Sequence, residues 1–158
     1  NKGDYEKAFD FYTRSIKLNE EFGDKRNLAW SLFKMGEYYL DSDNYKKAVS
    51  YLEKALKIAR TLNMKGRYLS HLVLLYLCYK NIGNGYDKKE IQQLIKEEEY
   101  IDYKLYYNLY QLLEDTSYLE TAYNQIQEKA DNLEPDVAAK FLSYPIPKAI
   151  VEEWEKVN

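Results

Sequence analysis

His71 and Cys78 are the only histidine and the only cysteine among 158 residues, so they define the one way this chain could build a thiol–imidazole nucleophile. Such a pair needs hydrogen-bond contact between sulfur and ring. Seven residues of helix separate them here, a rise of roughly 10 Å. The pair is therefore expected to do no chemistry, with His71 a partly exposed residue between helices and Cys78 a small buried hydrophobe. One histidine leaves no His-rich metal site to assemble, and neither a metal nor a cofactor is expected. Glu97-Glu98-Glu99 and the Glu152, Glu153, Glu155 group are the densest carboxylates. Acidic runs on helices are solvated faces, and nothing in these singles out a general acid paired with a base. Gly83-Asn84-Gly85 lacks the Lys-Ser/Thr continuation of a phosphate-binding loop and reads as a turn. No enzymatic activity is expected.

Rings are the other chemistry in quantity. Eighteen tyrosines accompany five phenylalanines and two tryptophans, and large rings with a polar tip suit half-buried positions between helices as well as recognition surfaces. The Tyr100, Tyr103, Tyr106, Tyr107, Tyr110 series has the look of a base-stacking platform. Its Glu and Asp neighbours would repel phosphates, and a net charge of −3 with no basic run gives nucleic acid no field to follow. Packing takes most of these rings. The longest apolar run, Leu72–Leu77, falls far short of the ~20 residues that span a bilayer. No signal peptide opens the sequence, and one cysteine makes no internal disulfide, so a soluble, cytoplasmic protein without membrane insertion is expected. Apolar residues at 46% and charged residues at 31% match ordinary globular usage and exclude general disorder.

The elements that hold these side chains come from a repeat. Gly3-Asp-Tyr-Glu-Lys-Ala8 returns as Asp43-Asn-Tyr-Lys-Lys-Ala48, and the match continues through Tyr12 and Leu52, Ser15 and Ala55, Ile16 and Leu56, and Leu18 and Ile58. A fixed period near forty residues signals stacked helical pairs, none of which can bury its apolar face alone. Leu28, Leu32, Met35, Gly36 and Tyr39 carry helical spacing, Asp41-Ser-Asp-Asn44 gathers turn and cap residues, and Tyr45 starts a second helix through Ala48, Leu52, Ala55, Leu56 and Ala59. Gly36, Ala48 and Ala55 remove bulk where the two helices would cross. The second helix is expected to continue through Leu62 toward Asn63.

Leu32-x-x-Met35-Gly36-x-x-Tyr39 followed by Ala48, Leu52 and Ala55 resembles the signature of the tetratricopeptide repeat family, in its long-helix variety. The resemblance implies an all-α fold, a right-handed superhelix of antiparallel helical hairpins. It also implies a non-enzymatic protein-interaction or scaffolding module that binds a peptide or helix in its concave groove. In that family the first helices of successive pairs line the groove. The positions carried over are Trp30, Phe33, Glu37 and Leu40, then Ser70, Val73, Leu77 and Lys80, then Lys104, Tyr107 and Gln111. The same side chains could instead be covered by other helices, and Val73 and Leu77, with Leu72, Leu75 and Tyr76, leave their helix apolar nearly all round, as in a helix that something buries. The family's carboxylate clamp for chaperone tails needs lysines and asparagines on this face. Trp30, Phe33, Lys34 and Glu37 and then Ser70, Val73, Leu74 and Leu77 exclude that ligand.

Leu72, Leu75, Tyr76 and Tyr79 begin a third pair in which Tyr76 replaces the glycine, and its partner helix with Ile91, Leu94 and Ile95 is expected to pack more openly. Residues 103–114 and 117–130 read as a fourth pair with Ala122 at the small position. Glu134-Pro135-Asp136 marks a new start, a short helix over 137–142, and a last helix from about Pro147 to Val157. Phe141, Leu142, Ile146, Ile150 and Trp154 are expected to fold back over the fourth pair. The organisation expected is thus helical repeats over 1–134 and capping helices over 135–158. Gly3-Asp4-Tyr5 falls at the turn inside a pair, so the first helix lacks its partner; Phe9, Tyr12 and Ile16 would have one side exposed, and further repeats or another domain are expected upstream. The Phe141-Leu142-x-x-Pro145 ending resembles those that close repeat regions in some bacterial multidomain signalling proteins. Two other readings stay open: a cis-acting regulatory or sensor module of such a protein, and a self-association domain forming a homodimer.

Overall fold

Twenty-residue spacing of left-handed turn residues sets the architecture. In the computed structural model, which describes residues 2–157, Gly23, Asp43, Asn63 and Gly83 all take positive φ, at 69°, 55°, 50° and 76°. Glycine, asparagine and aspartate tolerate this region best. Each closes the helix before it with the same bond from the next residue: Asp24 N–H to Asn19 O at 3.0 Å, Asn44 N–H to Tyr39 O at 2.8 Å, Met64 N–H to Ala59 O at 2.9 Å and Asn84 N–H to Tyr79 O at 2.8 Å. These are Schellman closures that satisfy carbonyls otherwise left bare at a helix end.

The helices so delimited are α1 (Lys2–Phe22), α2 (Lys25–Asp41), α3 (Tyr45–Thr61), α4 (Lys65–Asn81) and α5 (Lys88–Glu97), followed by α6 (Tyr103–Leu113), α7 (Thr116–Asp131), α8 (Pro135–Leu142) and α9 (Pro145–Val157). The fold is all-α, of helices packed in adjacent pairs in the tetratricopeptide-like manner. Helix α4 begins forty residues after α2, so the sequence period is the structural period. Side-chain caps start several of them: Asp24 accepts from Asn27 N at 3.0 Å, Asn44 from Lys47 N at 3.4 Å and Asp102 from Leu105 N at 2.8 Å.

The chain forms two compact units, Asn1–Glu97 and Glu98–Asn158. In the first, α2 and α3 pack most closely, and the reason is Gly36. A Cβ there would lie 2.6 Å from both Cγ and Cδ2 of Leu52, and Ala48 and Ala55 are fully buried nearby. Small residues at the crossing let Leu32, Met35, Leu52 and Leu56 close the core. On α4 every residue from Leu72 to Cys78 is buried, as expected of a helix apolar all round, and so is His71. Helix α5 is short and buries only Ile91.

In the second unit Leu119, Ala122, Ile126 and Ala130 of α7 form a core with Phe141 of α8 and Ile150 of α9. Leu142, Ile146 and Trp154 pack against the same core. Trp154 stacks on Tyr123, centroids 5.1 Å apart and planes at 19°.

Three expectations are corrected. Helix α3 ends at Thr61, because Asn63 leaves for the left-handed turn. Helix α9 starts at Pro145 rather than Pro147, both prolines fitting a first turn where no N–H bond is lost. Helix α1 runs through Gly3 and Asp4, where a turn was expected. Phe9, Tyr12 and Ile16 are half-buried, with Phe9 against Tyr38 and Tyr39 and Tyr12 against Trp30. Phe11, Leu18 and Phe22 of the same helix are exposed.

Candidate functional site

Spacing of three and four residues puts Trp30, Phe33, Glu37 and Leu40 in one stripe of α2. All four are half-buried. Trp30 meets the ring of Tyr12 edge-on at 6.1 Å. Phe33 reaches across to α4 and stacks on His71, centroids 4.0 Å apart and planes at 25°. Beside it Lys34 Nζ lies 5.6 Å from the Phe33 ring centre and donates to Glu37 Oε2 at 2.6 Å. The α2 stripe thus offers rings and an aliphatic group edged by a paired cation and anion.

Helix α4 contributes less open surface than its sequence positions imply. Val73 and Leu77 are 0% and 6% exposed and present nothing to a ligand in this arrangement. Ser70 and Lys80 are half-buried at the two ends of the helix. Ser70 Oγ donates to the Arg67 carbonyl at 2.9 Å and lies 3.4 Å from His71 Nδ1. Lys104, Tyr107 and Gln111 lie on α6 and so belong to the second unit. There Tyr107 stacks on Tyr110 at 6.3 Å, and Tyr110 donates to Glu153 Oε1 at 3.0 Å. Burial, then the charge of Glu153, raises the Tyr107 phenol above its usual range.

His71 is not the partly exposed residue expected: it is 2% exposed, because the Phe33 ring covers it. Nδ1 donates to the Arg67 carbonyl oxygen, so Nε2 is the unprotonated nitrogen, and it has no hydrogen-bond partner among the described residues. Burial pushes the imidazole down to about 4, against the Arg67 carbonyl bond and the nearby Glu37, which favour its charged form. At neutral pH the ring is uncharged and works as packing. Cys78 is fully buried, and burial pushes its thiol up to about 12, leaving no thiolate to act as nucleophile or ligand. No group of three or more His, Cys, Asp or Glu among the described residues could hold a metal ion. Among the same residues no helix is long and apolar enough to cross a membrane.

One cluster escaped the sequence reading. Glu90 of α5 accepts from Tyr76 at 2.6 Å and from Tyr68 at 3.4 Å, and Arg60 of α3 donates to Tyr68 at 2.6 Å while lying 3.5 Å from Glu90. Tyr79 donates to Glu53 at 2.7 Å beside it. Glu53, Arg60, Tyr76 and Tyr79 of this cluster line, with Lys57 and Leu72, a cleft of about 430 Å³ between α3 and α4. Tyr76 standing where the preceding pair has Gly36 was the available signal. Its choice of Glu90 among 26 acidic residues was not readable from spacing.

Residues 1–61, which hold α1, α2 and α3, match the family model described as tetratricopeptide repeat. This segment is similar to tetratricopeptide repeats. No curated protein and no solved structure matched the chain. Tetratricopeptide repeats are a non-catalytic protein-interaction fold, so the segment's general role is to bind or scaffold protein partners. The match covers all four candidate positions on α2.

Proposed function

We propose that the first unit binds a peptide or helix of a protein partner on the face formed by α2 and the ends of α4. The observation that carries this reading is the α2 stripe itself: Trp30, Phe33 and Leu40, all half-buried, edged by the Lys34–Glu37 ion pair. Half-exposed rings in a fixed setting bury area at little entropic cost and are the residues on which interfaces concentrate their energy. Ser70 and Lys80 supply polar groups at the rim, and Val73 and Leu77 support the floor from beneath. Lys104, Tyr107 and Gln111 form the corresponding first-helix face of the second unit.

Under this reading the protein is not an enzyme, works in the cytoplasm and takes neither nucleic acid nor a membrane as ligand. Buried Cys78 and neutral, buried His71 support the first of these. The test is affinity capture with the intact protein and with a Trp30→Ala, Leu40→Asp variant matched for helicity and melting. A partner retained by the intact protein and reduced at least about ten-fold by the variant supports the face. Equal capture by both forms contradicts it.

A further inference from the structure

Lys57 and Arg60, one helical turn apart on α3, stand on the rim of the 430 Å³ cleft between α3 and α4. Both are exposed, and the Lys57 ammonium makes no hydrogen bond or ion pair among the described residues. Arg60 donates Nε to the Tyr68 hydroxyl at 2.6 Å and reaches Glu90 only at 3.5 Å. The carboxylates beside them are already supplied with donors. Glu90 accepts from Tyr76 at 2.6 Å, and Glu53 accepts from Tyr79 at 2.7 Å. The cations are therefore the under-satisfied charges of this cleft.

Below the rim the cleft is apolar. Leu72 and Leu75 are buried, and the rings of Tyr76 and Tyr79 stack with centroids 6.0 Å apart and planes at 28°. The repeat shows what is particular here. At Gly36 the missing side chain lets Leu52 of α3 close on the backbone, whereas forty residues on Tyr76 puts a ring into the cleft wall. A volume of 430 Å³ lies in the range of small-ligand sites, about 300–1,000 Å³, and suits one or two side chains rather than a helix. Two cations above rings and leucines complement an anion carried next to an apolar group. Glu53 and Glu90, fixed close by, would repel a doubly charged phosphate and leave a single carboxylate as the matching charge.

From this we infer that the α3–α4 cleft is a binding site of its own, which takes an acidic side chain of a protein partner together with an apolar neighbour. The carboxylate accepts from Lys57 Nζ and from the Arg60 guanidinium, and the apolar side chain lies on Leu72, Leu75 and the Tyr76–Tyr79 rings. Nothing in this site draws on the α2 stripe.

The test titrates small probes into the ¹⁵N-labelled protein and follows its amide shifts. The probes are N-acetyl-glutamyl-leucinamide, its glutaminyl and glutamyl-glycinamide analogues, and phenyl phosphate. The first is expected to move amides of residues 53–61 and 72–79 together, with saturation. Replacing its carboxylate by the amide, or its leucine by glycine, should weaken binding about five-fold, as should Lys57→Met, an exposed change that keeps the aliphatic stem. No saturating shift in these segments up to the probe's solubility limit overturns the inference. Equal binding of the glutamyl and glutaminyl probes, an unaltered response in Lys57→Met, or tighter binding of phenyl phosphate also overturns it. Movement of the Trp30 and Leu40 amides alone would place the probe on the α2 face and count against this site.

Discussion

The ring of Phe33 on α2 lies stacked on the imidazole of His71 on α4, 4.0 Å from centroid to centroid, and this contact joins the first helices of two successive repeats. It also explains why the chain's one histidine is neutral. Phe33 covers it, the Arg67 carbonyl fixes its proton on Nδ1, and Nε2 has no hydrogen-bond partner among the described residues.

Stability should therefore fall with pH in a defined window. The folded imidazole titrates near 4, the unfolded one near about 6.5. Between those values the unfolded chain binds more protons, so the contribution of neutral His71 is fully present above about 6.5 and is lost as pH falls toward 4. Lys34, Glu37 and Arg67 are the charged groups that face it. Urea unfolding at pH 7 and pH 4.5 should show a loss of about 2–3 kcal/mol in the native protein that is missing in His71→Phe, which keeps the stack and removes the titration.

At the α2–α3 crossing, Gly36→Ala should destabilise by about 1–2 kcal/mol despite alanine's better helix propensity, because its Cβ would meet buried Leu52 at 2.6 Å. Gly66→Ala, in the first turn of α4 with nothing within 4 Å, should be neutral or slightly stabilising. Chemical denaturation of the two variants side by side separates packing from propensity.

The Glu90 cluster should behave as one unit. Tyr76→Phe removes the 2.6 Å bond to Glu90 and should cost about 1–2 kcal/mol. Combined with Glu90→Gln the losses should fall short of their sum, the signature of a shared bond in a double-mutant cycle.

Cys78 should be silent toward thiol reagents. A thiol fully buried and pushed up to about 12 reacts only when the chain opens. Labelling with an aromatic disulfide should be at least about a hundred-fold slower in buffer than in denaturant, and its rate should track global unfolding.

Much of the fold was legible because repetition constrains it. Gly36, Ala48 and Ala55 marked the crossing, and the apolar girdle of α4 announced a helix buried on all sides. Asp43, Asn63 and Gly83, left-handed and twenty residues apart, each stand two residues after a helix end, a spacing written in the sequence itself. The site was less legible for a physical reason. Position in a repeat says which way a side chain points, but accessibility depends on what packs there. Val73 and Leu77 sit at groove positions and are buried, Phe11 and Phe22 are bare, and His71 is covered because the residue facing it happens to be a phenylalanine.

The most direct test of a partner-binding face on α2 and α4 is a map of amide and indole chemical shifts as a captured partner's binding segment is titrated into the protein. The account predicts that the Trp30 indole N–H, the α2 amides around Phe33, Glu37 and Leu40, and those of Ser70 and Lys80 move together and saturate with one affinity. Shifts confined to the α3–α4 cleft around Arg60, Tyr76 and Tyr79, or to residues 98–158, would contradict it.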